Sequence, residues 1–391
     1  MDPLRNPYGP GAGTPPPELS GRGRILEDVA LALARKRAGR PHKSVILVGL
    51  RGVGKTVLLN RIDETAKALD YRTAMIEVGE DKPLPAILVP TLRTILYDLD
   101  RMEGLSEAVK RSLRVLRSFV GSVSLSLGGF DVGLGIDPEP GTADSGDLDT
   151  DLSQLFVSLG EAAVARKTSI ALILDEIQYL KEEEFAALIV AIHRVTQLSL
   201  PIILVAAGLP SVRGQAGRAK SYAERLFSYP IIGPLAFADA RSAIETPAER
   251  EHASFSEDAL EAIYRHTRGY PYFLQEWAYQ SWNAAARSPV TADDVAFATR
   301  ATIEHLDESF FRVRFDRLTN AEKRYLRAMA ELGAGPYRSS DVAAAYGAKA
   351  TSVGPIRATL IAKGMIYSPA HGDAAFTVPL FDEFMRREMP A

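Results

Sequence analysis

The chain has 391 residues, 46% of them hydrophobic and 24% charged, a formal net charge of −3 and no cysteine. That length suggests two or three domains of ordinary globular composition. The missing cysteines exclude disulfides, thiolate zinc sites and a cysteine nucleophile, and the small net charge leaves only a local basic patch for any nucleic acid.

Residues 1–20 are rich in Pro and Gly and end in Thr14-Pro15-Pro16-Pro17-Glu18. Neither a regular helix nor a central strand tolerates that pattern, so an extended arm is expected. It lacks the apolar core of a signal peptide, and no apolar run in the chain is long enough to span a bilayer. A cytoplasmic location without membrane partners is expected. Residues 24–37 carry Ile25, Leu26, Val29, Leu31 and Leu33 and read as a first helix.

Ser44-Val45-Ile46-Leu47-Val48 is a short β-branched run, the pattern of a buried strand. It leads into Gly49-Leu50-Arg51-Gly52-Val53-Gly54-Lys55-Thr56, which fits G-x-x-x-x-G-K-[ST] at every fixed position. Leu58, Ile62, Ala66 and Leu69 follow at helical spacing. Strand, glycine loop and helix start make an anion cradle, because backbone N–H groups converge there and the helix dipole favours negative charge. Gly49 and Gly54 permit turns that a side chain would block. Lys55 is expected on the β- and γ-phosphates of a nucleotide, and Thr56 on its Mg²⁺.

Residues 71–78 predict a second strand and 84–118 one or two amphipathic helices. Ser122-Val123-Ser124-Leu125-Ser126-Leu127 and Phe130-Asp131-Val132-Gly133-Leu134 alternate strictly around Gly128-Gly129, which predicts a hairpin. The stretch 119–150 turns acidic, and no Lys or Arg occurs between Arg117 and Arg166. This hairpin and acidic insert would repel a phosphate backbone, so it is expected to face solvent or a protein partner. A helix over 152–166 precedes Ser169-Ile170-Ala171-Leu172-Ile173-Leu174, a buried strand that ends in Asp175-Glu176. A helix over 182–198 and strands at 202–205 and 229–233 follow. The alternation implies an α/β fold with a mainly parallel sheet. Ligands bind at the C-terminal edge of such a sheet. Asp175 is therefore expected in the Mg²⁺ shell opposite Thr56, and Glu176 as the base that activates the attacking water. No Asn-Lys-x-Asp motif for guanine occurs, so ATP is the expected nucleotide.

Residues 236–304 read as helical, with Ser256 and Thr291 as caps. Thr319-x-x-Glu322 is a capping box for a helix that would bury Tyr325, Met329 and Leu332. A short helix from Ser340 or Asp341 and a third from Ser352 to Lys363 precede two short strands around His371-Gly372-Asp373. Three helices followed by a hairpin describe a winged helix. Lys349, Thr351, Ser352, Arg357 and Lys363 suit a recognition helix, with Arg338 and His371 beside the DNA backbone. Protein contact and an intramolecular brake remain alternatives to DNA.

The octet at 49–56, with Leu172-Ile173-Leu174-Asp175-Glu176 downstream, resembles the AAA+ ATPases and their STAND relatives. The resemblance is closest to the ATPases similar to origin-recognition proteins and covers nearly the whole chain. It implies a P-loop sheet domain over 1–235, a helical lid over 236–304 and a winged helix over 305–391. It implies ATP and Mg²⁺ as ligands, with Gly49, Gly52, Val53, Gly54, Lys55 and Thr56 around the phosphates. Leu19-Ser20-Gly21-Arg22 resembles the segment that lies on the adenine, which puts Gly21 and Arg22 there. Gly269-Tyr270-Pro271 resembles the lid motif whose proline, here Pro271, packs on the nucleotide. Residues 221–227 resemble the segment bearing the arginine finger, with Arg225 as candidate. Arg225 alternatively pairs with Glu224 or with a phosphate of its own subunit. Two departures stand out: Ala206-Ala207-Gly208-Leu209-Pro210 offers no polar sensor, and Tyr272 stands where a sensor arginine often does, with Arg268 just ahead. Hydrolysis is therefore expected to be slow or partner-stimulated, in an ATP-driven homo-oligomer or on a protein partner. The resulting expectation is an ATP-dependent switch coupled to duplex DNA, with a STAND-like scaffold that holds nucleotide as the alternative.

Overall fold

The computed structural model describes residues 1–391 apart from 12, 102–105, 128–136, 334, 371 and 391, and for 124–127 the backbone alone. The chain divides into two compact units. Gly23–Gly49 and Lys55–Ile231 form a sheet unit; Met1–Arg22, Leu50–Gly54 and Ile232–Ala391 form a lid unit.

The sheet unit contains α1 (Gly23–Arg37), β1 (Ser44–Gly49), α2 (Lys55–Ala68), β2 (Tyr71–Glu77), α3 (Leu84–Asp100) and α4 (Glu107–Leu127). It continues with α5 (Leu148–Ala165), β3 (Ser169–Asp175), α6 (Glu182–Gln197) and β4 (Ile202–Gly208). Then come α7 (Ser211–Ala219), α8 (Ala223–Leu226) and β5 (Phe227–Ser228), and β6 (Ile231–Ile232) carries the chain onward. The strands run in the order β2-β3-β4-β1-β5 and pair in parallel. Every residue of β1, β3 and β4 is buried, as a parallel sheet covered on both faces requires. Ile46, Leu172 and Leu204 of the sheet share one core with Leu88, Leu92, Phe119, Phe156, Phe185 and Leu188 of α3 to α6. Each such side chain contributes about 1.5–3 kcal/mol by leaving water.

The hairpin expected over 122–134 is corrected in its first arm. Ser122 to Leu127 is the last part of α4. Val109, Leu113, Leu116 and Val120 are buried and Val123 packs beside them, a stripe at helical spacing that runs into the alternating segment. Six residues of strict alternation are too few to outweigh a helix already propagating from fifteen residues upstream. The second arm, 130–134, lies outside the described residues. Of the acids after it, Asp137, Asp144 and Asp147 are exposed, as expected, while Glu139 and Asp151 are held by the protein. Arg114 donates to Glu139 at 2.7 Å and holds it below the ordinary carboxylate range. Asp151 is 1% exposed and accepts from Ser122 Oγ, from Ser145 N–H and Oγ, and from Gly146 N–H, at 2.7–3.0 Å.

The lid unit contains α9 (Phe237–Arg250), α10 (Glu257–Thr267), α11 (Pro271–Ala284) and α12 (Ala292–Leu306). A π-helical turn (Asp307–Phe311) leads into α13 (Arg312–Phe315), and then α14 (Asn320–Glu331), β7 (Tyr337–Arg338), α15 (Ser339–Tyr346) and α16 (Ala350–Ala362) follow. β8 (Ile366–Tyr367), β9 (Asp373–Phe376) and α17 (Phe381–Glu388) complete it. β7, β9 and β8 pair antiparallel in that order. Thr291 and Thr319 close the capping boxes of α12 and α14, but Ser256 ahead of α10 makes no side-chain cap. Leu332 ends α14 on the surface, 39% exposed.

The N-terminal arm packs on the lid helices. The Tyr8 hydroxyl donates to Ile244 O at 2.7 Å, and its buried ring meets Phe255 and Trp282 edge-on. Arg5 pairs with Glu251 at 3.0 Å, and Asn6 donates to Asn283 at 2.9 Å.

Candidate nucleotide site

β1 ends at Gly49 and α2 begins at Lys55, so the glycine octet is the bend between a buried strand and a helix start. Gly54 has φ of +90°, a conformation that suits glycine alone at the last turn before the helix. In the sheet unit, Leu174 of β3 lies opposite Ala206 of β4, and Val48 of β1 lies opposite Gly208 of β4. That register puts the ends of the three strands at one edge. Thr56 Oγ1 donates to Asp175 Oδ2 at 2.6 Å. Asp175 is 4% exposed; burial raises its pKa, and the Thr56 bond works against that rise. Its other oxygen accepts the Glu176 N–H at 2.8 Å. Lys55 is buried too, and its charge favours the ionised form of Asp175.

A hydroxyl and a carboxylate are the hard oxygen donors that Mg²⁺ takes. Among the described residues no three His, Cys, Asp or Glu are grouped to hold a metal by themselves. The donor set therefore fits an ion that draws its remaining ligands from phosphate and water.

Glu176 has φ of +55° and so leaves the strand in the left-handed region. Its carboxylate accepts from Gln178 Nε2. Gln178 Oε1 in turn accepts the Leu209 N–H at 3.1 Å, just beyond β4. Sequence reading passed over Gln178: it lies two residues after the acidic pair, and only the fold brings it to the end of β4. Arg225 of α8 is exposed and makes no ion pair among the described residues, not even with Glu224.

In the lid unit, Arg22 is buried and donates to the carbonyls of Val53 and Gly233. Burial pulls its pKa down, and Asp239 opposes that. Gly21 has φ of +69°, and a Cβ there would lie 2.8 Å from the Asp239 carboxylate. Pro271 is the first residue of α11, and the next N–H, of Tyr272, donates to Gly52 O at 3.3 Å. The Arg51 N–H donates to Thr377 O at 3.2 Å.

The residues expected on DNA separate into two groups. Arg338, Lys349, Thr351 and Ser352 are exposed. Arg357 donates to Asp373 O at 2.7 Å and Ser368 Oγ at 3.0 Å, and Lys363 pairs with Glu322 at 2.8 Å. His371 lies outside the described residues.

A parallel sheet whose β1 passes through a G-x-x-x-x-G-K-T bend into a helix, with an acid at the end of a nearby strand, defines the P-loop nucleoside-triphosphatase class. Within it, residues 18–205 match the family described as AAA ATPase domain. Residues 308–385 match a domain of unknown function, DUF8462. No curated protein matches the sequence.

Solved structures resemble the chain at low identity. A Walker-type ATPase of Pyrococcus abyssi is 15% identical with a TM-score of 0.53, over 94% of this chain and 96% of that one. Cdc6p from Pyrobaculum aerophilum is 16% identical with a TM-score of 0.50, over 99% of both chains. The Aeropyrum pernix Orc1 protein, solved in complex with DNA, is 17% identical with a TM-score of 0.48, over 99% of this chain and 96% of that one. The Pyrococcus abyssi ATPase and Cdc6p, with TM-scores of 0.53 and 0.50, share the fold of this chain. Among the described residues no helix is long and apolar enough to cross a membrane.

Proposed function

We propose that the chain is a cytoplasmic ATP-dependent switch that hydrolyses ATP slowly or with a partner's help. In this reading residues 1–235 are the ATPase domain and 236–304 its lid, and 305–391 form a winged helix that couples the nucleotide state to duplex DNA. The Thr56–Asp175 hydrogen bond of 2.6 Å carries the reading, because it joins the end of a complete P-loop to the acid that closes β3. Backbone N–H groups of Gly52, Val53 and Gly54 and the Lys55 ammonium hold the phosphates. Thr56 and Asp175 would hold Mg²⁺, which when bound would supply positive charge beside the phosphates. Glu176 takes the proton of the water that attacks the γ-phosphorus, while the bond to the bridging oxygen breaks and ADP leaves. Gly21, Arg22 and Pro271 approach the adenine. Arg225 acts on the nucleotide of a neighbouring copy in an ATP-state oligomer.

Lys55→Ala is expected to abolish binding of a fluorescent ATP analogue. Glu176→Gln is expected to keep that binding and stop phosphate release; undiminished turnover in this variant would remove Glu176 as the base.

A second reading has an observation of its own. Arg357 and Lys363 are engaged by Asp373 and Glu322 of the C-terminal module itself, and Thr377 is hydrogen-bonded to the P-loop residue Arg51. These contacts favour a STAND-like scaffold that keeps its nucleotide and uses the C-terminal module for protein contacts. Multiple-turnover phosphate release with and without duplex DNA separates the two. Stimulation by DNA supports the switch, and a single bound nucleotide that never turns over supports the scaffold.

A further inference from the structure

Tyr272 joins three things that the sequence keeps apart. Its N–H holds Gly52 O, at the apex of the glycine bend. Its ring stacks on Phe310, with centroids 4.7 Å apart and planes 23° from parallel. Phe310 belongs to the π-helical turn Asp307–Phe311, and the guanidinium of Arg314 lies over its ring at 4.1 Å. The adjacent Phe311 stacks on Phe384 of α17 at 5.3 Å and meets Phe381 at 5.8 Å. The same C-terminal segment returns to the bend, where Thr377 O accepts the Arg51 N–H. All these residues belong to the lid unit.

A π-turn is rare, and it is costly enough to persist mainly where it serves a purpose. Here it sets two consecutive phenylalanines beside Phe273 of α11 and stacks one of them on Tyr272 and the other on Phe384 of the last helix. Aromatic faces in contact hold a preferred offset and angle, so a shift of one ring forces the next to follow or to break the stack. The backbone of Tyr272 is fixed to the bend and its side chain to the turn. Any change in the bend on phosphate binding therefore reaches Phe310 through one residue.

We infer that Tyr272 is a positioning residue that transmits the state of the glycine bend to the C-terminal module, through its stack on Phe310 and the π-turn. The inference rests on nucleotide binding at the bend, as proposed above. It gives the tyrosine a mechanical role at a position that carries no charge to touch phosphate. It also separates two functions of one residue. The N–H serves the bend and survives any substitution except proline, whereas the ring serves the turn.

The test uses the full chain with Mg²⁺-ATP and Mg²⁺-ADP, comparing wild type, Tyr272→Phe, Tyr272→Ala and Phe310→Leu. Nucleotide affinity is measured by equilibrium dialysis and amide hydrogen exchange is followed over 305–315 in the same samples. In wild type and Tyr272→Phe, saturating nucleotide is expected to change exchange in the π-turn. In Tyr272→Ala and Phe310→Leu that response is expected to vanish while affinity moves by less than ~5-fold, below the usual range of a coupling between sites. A wild type that binds nucleotide with no change over 305–315, or a Tyr272→Ala that keeps the full response, overturns the inference and leaves the proposed function standing. A wild type that fails to bind nucleotide overturns both. Phe310→Leu guards against a folding artefact, because it removes the stack without touching the residue bonded to the bend.

Discussion

Glu276 of α11 has 1% of its side chain exposed, accepts from Gln280 at 3.1 Å and lies 3.8 Å from His305. Burial raises its pKa, while the Gln280 bond and the His305 charge oppose the rise. A carboxyl whose folded pKa lies above its unfolded value costs stability when ionised. That cost is present at neutral pH and is relieved as pH falls through the folded value. Glu276→Gln is therefore expected to raise the Tm at neutral pH and to lose the advantage in mild acid; thermal melts at both pH values check it. At this scale the sequence was legible wherever chemistry alone dictates a residue. The octet 49–56 and the acids 175 and 176 stand out because they fit a motif with a chemical rationale, and the Thr56–Asp175 bond joins the two. Gln178 does not, and Tyr272 stands out only as a missing arginine, because their contacts at 209, 52 and 310 exist only in the folded chain.

Among the elements, α4 and the acidic stretch after it depend on one buried carboxylate. Asp151 accepts four hydrogen bonds, from Ser122, Ser145 and Gly146, and so ties the end of α4 to the loop before α5. Asp151→Ala would remove the acceptor of all four bonds and leave the buried Ser122 hydroxyl without it, at about 2–4 kcal/mol. Urea unfolding is expected to show a midpoint lowered to match. By contrast Thr319→Ala, at the exposed start of α14, loses one capping bond and is expected to cost ~1 kcal/mol by the same measurement. The strands of the sheet were readable because burial on both faces writes itself as an unbroken apolar run. The first arm of the expected hairpin was not, since a strand and a helix place apolar residues alike over so short a window. β7 was missed for a related reason: Tyr337–Arg338 is two residues long, and pairing with β9, not local pattern, makes it a strand.

Over the whole molecule, net charge is too small to draw DNA, so any binding must come from a few exposed groups. Arg338 and Lys349 together would give a shallow salt dependence, with log affinity falling by about 1.8 per tenfold rise in salt if each neutralises one phosphate. Their joint replacement by alanine is expected to flatten an anisotropy titration of labelled duplex, and an unchanged slope would place the contact elsewhere. The broad order of a parallel sheet followed by a run of helices was visible in the alternation of apolar periods. The division into units was not, because it depends on long-range packing. The chain passes between the units at 22–23, 49–50, 54–55 and 231–232. No single cut can then yield either half in one piece. A fragment of 232–391 would lack the arm that fills the hollow beside Phe255 and Trp282 with Tyr8, and a synthetic peptide of residues 1–22 is expected to raise its Tm. A protein threaded this way resists being shuffled as separable cassettes: recombination that exchanges its C-terminal half alone would inherit a surface without its arm.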